Sequence, residues 1–186
     1  MLNHAVGSGT HNHKDRGHDL YETPPCAVEA LLKVETLPKR IWEPACGPGS
    51  ISRVLTKHGH SVLSSDIVDY GQHYTKRDFL ACTEPTDRTI ITNPPYLLAE
   101  KFVRRALQLS PQVYMLLRLA FLESQRRSDI LENTGLIRIH VFRNRLPMMH
   151  RDGWTGKKAS SALAFAWFVW ERGYRGPTVI DRISWE

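Results

Sequence analysis

A short apolar run that ends in two consecutive prolines constrains the fold of this chain more than any other feature. Residues 89–92 are Thr-Ile-Ile-Thr, and Asn93, Pro94, Pro95 and Tyr96 follow directly. An apolar run bounded by turn residues is typical of a buried strand. The four residues would then lie at the carboxyl end of that strand, where open α/β sheets bind their ligands.

The chemistry of this proline loop favours a planar ligand that carries an amino group. Each proline fixes its own φ and lacks an N–H, so the loop is stiff. It offers the Asn93 side-chain oxygen and the Pro94 carbonyl as acceptors, beside the aromatic face of Tyr96. Two acceptors can hold both amino hydrogens and aim the nitrogen lone pair at an electrophile, with Asn93 acting through orientation and electrostatics. An ordinary turn with Tyr96 in packing is the alternative for so short a motif.

A glycine loop lies upstream, in residues 41–50 (Ile-Trp-Glu-Pro-Ala-Cys-Gly-Pro-Gly-Ser). It predicts a strand end, a tight turn and a helix that Ser50 caps, and Gly47 and Gly49 would let the backbone approach a ligand. A dinucleotide-binding fingerprint would have a third glycine at position 52. Because Ser52 stands there, a nicotinamide cofactor is disfavoured.

A second predicted strand, residues 61–66, ends in Asp66. An acid at that place can accept hydrogen bonds from a ribose diol. The glycine loop, Asp66 and the proline loop therefore occur in the order that a site for an adenosine-containing cofactor requires.

These segments together resemble the class I S-adenosylmethionine-dependent methyltransferases, specifically the adenine-N6 DNA methyltransferases in their small phage or prophage form. The resemblance runs from about residue 21 to residue 186. It implies S-adenosylmethionine as cofactor, residues 43–49 as the cofactor loop and residues 93–96 as the catalytic loop. Residues 21–25 would fold over the methionine end of the cofactor.

The resemblance also implies a set of site residues. The expected catalytic residues are Asn93, Pro94, Pro95 and Tyr96. Asp66 would bind the ribose, and Asp78 and Phe79 the adenine of the cofactor. The expected cofactor-binding residues are Tyr21, Thr23, Pro24, Glu43, Ala45, Cys46, Gly47, Gly49, Asp66, Ile67, Asp78, Phe79 and Asn93.

Alternating strands and helices predict an α/β fold. Apolar runs indicate strands at 113–117, 136–142 and 164–170, and helical spacing indicates helices at 27–33 and 100–109. This order predicts a mostly parallel, doubly wound sheet with one antiparallel terminal strand, which the resemblance makes a Rossmann-like class I methyltransferase fold.

A single domain is expected over residues 19–186, without a separate target-recognition domain. Residues 1–18 hold four of the nine histidines but no apolar periodicity, which predicts a disordered tail rather than a metal site. The three cysteines form no C-x-x-C pair, so we expect neither a metal nor disulfides. No apolar run approaches the ~20 residues of a membrane span and no signal peptide is visible, which predicts a cytoplasmic protein.

The net charge of +6 favours a polyanionic partner. Without a recognition domain, DNA contacts would come from loops, chiefly residues 143–160, although a solvated loop is the alternative. The candidates for nucleic-acid binding are Arg143, Arg145, Arg151, Trp154, Lys157 and Lys158. Residues 118–127 are a second basic stretch that could flank the groove.

The expected reaction is methyl transfer from S-adenosylmethionine to N6 of adenine in DNA after base flipping. RNA remains open as the partner, as does the side-chain amide of a protein glutamine. A non-catalytic cofactor- or DNA-binding module is the alternative of a different class. A homodimer or a helper subunit is compatible with so small a chain but is not indicated by it.

Overall fold

The computed structural model describes residues 22–148 and 163–186. Several expectations lie outside the described residues: the tail over 1–18, the cofactor contact of Tyr21, and the nucleic-acid contacts of Arg151, Trp154, Lys157 and Lys158.

Eight strands form one sheet in the order β3-β2-β1-β4-β5-β7-β6-β8. Their bounds are β1 (Arg40–Glu43), β2 (Ser61–Asp66), β3 (Thr75–Lys76), β4 (Thr89–Thr92), β5 (Gln112–Arg118), β6 (Leu136–Phe142), β7 (Phe165–Glu171) and β8 (Val179–Ile183).

The sheet is parallel except for β7. The pairs β1–β2, β1–β4, β2–β3, β4–β5 and β6–β8 are parallel, whereas β7 runs antiparallel to both β5 and β6. The predicted mostly parallel sheet with one antiparallel strand is confirmed. That strand lies between β5 and β6 rather than at the edge of the sheet. Six of its seven residues are buried, which requires a neighbour on each side and cover on both faces.

Helices cover both faces of the sheet. Their bounds are α1 (Pro25–Leu32), α2 (Ser50–Lys57), α3 (Ala99–Leu109) and α4 (Ser128–Glu132). Alternate residues of β5 enter two separate hydrophobic clusters: Tyr114 and Leu116 pack with α1 and α2, whereas Val113, Met115 and Leu117 pack with α3 and α4. This two-sided packing explains why β5 is an unbroken apolar run.

Two strands were not predicted from the sequence. The first, β3, has two residues, both exposed. The second, β8, is exposed at four of its five positions and shows no apolar alternation. It pairs with β6 along the edge of the sheet, so backbone hydrogen bonds rather than a buried face define it.

The parallel strands β1, β2, β4 and β5 end at the same edge of the sheet. This edge therefore collects the glycine loop, Asp66, the proline loop and Arg118. Within the described residues, no helix is both long and apolar enough to cross a bilayer.

Candidate active site

An open cleft of about 720 Å³ lies at the carboxyl ends of these strands. It brings together most of the site residues that the sequence predicts. Those that line it are Thr23, Glu43, Ala45, Cys46, Gly47, Asp66, Ile67, Asp78, Phe79, Asn93, Pro94, Pro95 and Tyr96. Pro24 and Gly49 are described but are not among its lining residues.

Thr23 orients the amide of Asn93. The Asn93 Nδ2 atom donates a hydrogen bond to Thr23 Oγ1 at 3.0 Å, and Thr23 is buried. The two residues are seventy positions apart in the chain. Because the nitrogen faces Thr23, the Oδ1 acceptor lies on the other side of the amide.

The ring of Tyr96 is flanked by a cross-strand pair. Arg118 at the end of β5 and Phe165 at the start of β7 are in register. The Phe165 ring centroid lies 5.7 Å from that of Tyr96 at an interplanar angle of 41°. The Arg118 guanidinium carbon lies 4.1 Å from the Tyr96 centroid, in a cation–π contact.

Sequence reasoning placed Arg118 at the edge of a groove, not inside the cleft that it lines. An arginine directly after a buried strand was the available signal, because that position is at the ligand-binding edge of an α/β sheet.

The carboxylate of Asp66 is held by two backbone amides. Its Oδ2 accepts from the Gly47 N–H at 2.9 Å, and its Oδ1 accepts from the Val68 N–H at 3.0 Å. Each carboxylate oxygen has more than one acceptor site, so Asp66 retains capacity for further hydroxyl donors.

The helix after the glycine loop begins differently from the prediction. Its N-cap is Gly49, with φ of 89°, and Ser50 makes no capping hydrogen bond. The Ser50 hydroxyl instead donates to the Glu22 carboxylate. Ser50 therefore ties the segment before α1 to the glycine loop. Glu22 also lines the cleft, as a member of the predicted segment 21–25 that was not named individually as a site residue.

Gly49 packs closely against a tyrosine side chain. A Cβ atom at this position would lie 2.3 Å from the Tyr74 hydroxyl oxygen. Tyr74 occupies the space that a side chain at position 49 would take.

Glu43 is a buried carboxyl at the end of β1. Only 1% of it is exposed, and burial raises its pKa to about 8, with the Asp66 charge acting in the same direction. The Ser52 hydroxyl donates to Glu43 Oε2 and lies 2.5 Å from the Ser64 hydroxyl. The serine in place of a third glycine thus supplies a hydrogen bond that a glycine could not.

The predicted adenine contacts differ in their surroundings. The Asp78 side chain is exposed, and its Oδ1 accepts from the Leu80 N–H at 2.9 Å. Phe79 is buried, with ring centroids of Trp42 and Phe102 at 5.3 Å and 5.0 Å. Phe79 therefore presents to the cleft a ring that is fixed from behind by the core.

Cys46 has no features of a nucleophile. It is buried, and burial raises the pKa of its thiol further above neutrality. The thiolate is the reactive form of cysteine, so this environment disfavours reaction.

The candidate nucleic-acid residues within the described chain fall into two groups. Arg143 and Arg145 are exposed just after β6, at the same edge of the sheet as the cleft. In the second basic stretch, Arg126 pairs with Glu100 at 2.7 Å, and Arg127 donates to the Phe121 carbonyl. These two arginines support local structure, whereas Arg118 reaches the cleft.

No family model matches this sequence, and no curated protein matches it. Solved structures do match. A Pyrococcus horikoshii protein named as an RNA methyltransferase superposes with a TM-score of 0.65 at 14% identity, over 83% of this chain and 87% of that chain.

Two further structures are similar. A Vibrio vulnificus protein named as a modification subunit of a type I restriction enzyme gives a TM-score of 0.60 at 14% identity, over 86% of this chain but 45% of its own. A TehB-like methyltransferase from Corynebacterium glutamicum, described as SAM-dependent, gives 0.51 at 16% identity, over 79% and 87%. S-adenosylmethionine, the expected cofactor, is the one named for that neighbour. This chain has the Rossmann-like class I methyltransferase fold.

Proposed function

We propose that this protein transfers the methyl group of S-adenosylmethionine to the N6 amino group of adenine in DNA. The observation that carries the proposal is the position of the Asn93 amide and the Tyr96 ring, which line the same cleft as the glycine loop and Asp66. The acceptor amino group and the cofactor would therefore be bound in the same cleft.

The charges at one end of the cleft suit a cationic cofactor. Glu22, Asp66 and Asp78 all line it. S-adenosylmethionine carries an ammonium and a sulfonium group, and carboxylates favour nearby positive charge. When bound, it would supply the electrophilic methyl group, and Asp66, already oriented by two amides, would accept from its ribose hydroxyls.

The proline loop suits an amino group as the acceptor. Asn93 Oδ1 and the Pro94 carbonyl would accept the two amino hydrogens and direct the lone pair of the nitrogen towards the methyl carbon. As the N–C bond forms, the bond from the methyl carbon to the sulfonium sulfur would break, with S-adenosylhomocysteine as the leaving group, and the excess amino proton would leave to water. Thr23 holds the Asn93 amide in the required orientation. Tyr96 would stack on the base, which must leave its helix because a paired and stacked amino group cannot reach the cofactor.

The basic residues at this edge support a nucleic acid as the partner. Arg118 lines the cleft, and Arg143 and Arg145 are exposed at the same edge of the sheet. Lysine and arginine are the usual ligands of backbone phosphates.

RNA is the second candidate acceptor. One structural neighbour is named as an RNA methyltransferase and another as a modification subunit of a type I restriction enzyme. The same Asn93 and Tyr96 chemistry would serve an adenine in either polymer, and it would serve a glutamine amide without using the basic edge.

Transfer of tritium from labelled S-adenosylmethionine to DNA, RNA and protein, followed by nucleoside analysis, tests the proposal. We expect label in N6-methyladenine from DNA. Label in RNA alone would replace DNA by RNA, and label in protein or in none of the three would contradict the proposal. Calorimetry with S-adenosylhomocysteine tests the cofactor separately, with Asp66→Ala expected to weaken binding by about 1–3 kcal/mol.

A further inference from the structure

One face of the Tyr96 ring is covered in this structure by an arginine. The guanidinium carbon of Arg118 lies 4.1 Å from the Tyr96 ring centroid. This distance is well within the ~6 Å reach of a cation–π contact. A base and this guanidinium cannot occupy the same face of the ring together.

Arg118 can leave the ring of Tyr96 without breaking a hydrogen bond through its Nε atom. Arg118 extends from the last position of β5 into the cleft, and its Nε atom is buried without a hydrogen-bond partner among the described residues. No hydrogen bond through Nε therefore holds the side chain in place. A buried donor that lacks an acceptor is also destabilising, which favours movement of the side chain. The ring contact is a weak one, and it can be exchanged for a better ligand.

We propose that Arg118 fills the base-binding face of Tyr96 in the base-free protein and must be displaced before an acceptor base can stack there. This inference rests on the proposed function, in which Tyr96 receives the base. Arg118 is then a gating residue of the acceptor site.

The gate discriminates between a free nucleoside and a polynucleotide. A neutral nucleoside must displace the guanidinium and offers it no charged partner in return. A polynucleotide brings phosphates to the mouth of the cleft, and the displaced guanidinium can form charge-assisted hydrogen bonds with them. The exchange therefore favours bases that arrive attached to a phosphate backbone.

Binding of adenosine tests the gate without requiring turnover. Ligand-observed NMR would measure the Kd of adenosine for protein saturated with S-adenosylhomocysteine, which keeps the nucleoside out of the cofactor site. Arg118→Met keeps an unbranched side chain but removes the charged plane. We expect adenosine to bind Arg118→Met roughly 2- to 30-fold more tightly than wild type, the range that corresponds to removal of one cation–π interaction.

The direction of the effect separates a gate from a structural role, because a damaged cleft would bind adenosine more weakly. Arg118→Lys, which keeps a cation, should stay within about threefold of wild type. Tyr96→Ala, which removes the stacking face, should weaken adenosine binding in the Arg118→Met background. An adenosine Kd that is unchanged or raised in Arg118→Met, or no binding to either protein, would overturn the inference.

Failure of the gate and failure of the proposed function are distinguishable. Wild-type methylation of DNA with an unchanged adenosine Kd in Arg118→Met would refute the gate alone. A lower Kd in Arg118→Met with no label in DNA or RNA would support the gate and refute nucleic-acid methylation.

Discussion

The amide of Asn93 is oriented by Thr23, a residue from a distant part of the chain. Asn93→Ala removes one polar group at the reacting centre. We expect methyl transfer to fall by about 100-fold or more, with the Kd of S-adenosylhomocysteine changed by less than a few-fold. Single-turnover assays and calorimetry would measure the two quantities. Intact turnover in Asn93→Ala would remove the central support for the proposed chemistry.

Thr23 is a positioning residue, because it acts through Asn93. Thr23→Val removes the Oγ1 atom that accepts from Asn93 Nδ2 and keeps the shape of the side chain. Removal of one hydrogen bond should lower kcat roughly 3- to 10-fold. Thr23→Ser keeps the hydroxyl and should restore most of the rate. If both variants lost activity equally, packing rather than the hydrogen bond would be responsible.

The buried carboxyl of Glu43 links stability to pH. Its pKa is about 8 in the folded protein, against an ordinary value of 4.5. Between these values the folded protein holds a proton that the unfolded chain lacks. The contribution of the protonated Glu43 carboxyl to the free energy of unfolding is therefore fully present below pH 4.5. It is lost as the pH rises through 8.

Urea unfolding of wild type and Glu43→Gln between about pH 5 and pH 8.5 measures this linkage. The glutamine side chain of the variant does not titrate. The free energy of unfolding of the wild type should therefore fall relative to that of the variant as pH rises. Groups other than Glu43 contribute equally to both proteins and cancel. Parallel curves across this range would show that Glu43 is already ionised in the folded protein.

At the scale of elements, the turn before β6 depends on a glycine that faces a backbone carbonyl. Gly135 has φ of 81°, and a Cβ atom there would lie 2.2 Å from the Glu171 carbonyl oxygen at the end of β7. The Glu171 N–H also donates to the Gly135 carbonyl at 2.9 Å. The close approach keeps β6 and β7 paired where they meet this turn.

Gly173 provides a matched control for this position. Its φ is 87°, but a Cβ atom there would meet nothing within 4 Å. Gly173→Ala should therefore destabilise the protein by about 1–2 kcal/mol, the strain of the left-handed backbone alone. Gly135→Ala should cost about 1–3 kcal/mol more, because a backbone carbonyl must also move. Equal values from chemical denaturation would mean that the turn relaxes freely.

At the scale of the whole molecule, positive charge at the carboxyl edge of the sheet should govern nucleic-acid affinity. Arg143 and Arg145 are exposed at this edge, whereas Lys33 and Arg175 are exposed at the opposite one. Changing Arg143 and Arg145 together to alanine should make the slope of log K for DNA binding against log salt concentration less steep. The expected change is up to about 1.8, or about 0.9 for each phosphate that is no longer neutralised.

The pair Lys33→Ala and Arg175→Ala is the control, since it removes the same net charge from the other edge. We expect this pair to leave the salt slope of DNA binding nearly unchanged. Similar slopes for the two double variants would mean that net charge, not the carboxyl edge, determines affinity.

Six of the eight strands and many of the residues that line the cleft could be predicted from the sequence alone. Buried strands such as β4, β5 and β7 are continuous apolar runs, and the proline and glycine loops have local backbone preferences, so both are visible without a fold. Because parallel strands end at a common edge, their order also predicted that the proline loop, the glycine loop and Asp66 would meet.

Contacts between distant segments of the chain could not be predicted in this way. The Asn93–Thr23 hydrogen bond, the Ser52–Glu43 hydrogen bond and the cation–π contact of Arg118 with Tyr96 each join residues from separate elements. The edge strand β8 has no buried face, so its pairing with β6 leaves no periodic signal. Side-chain chemistry is local and can be recognised in a sequence, but which side chains share a face depends on how the strands are ordered in space.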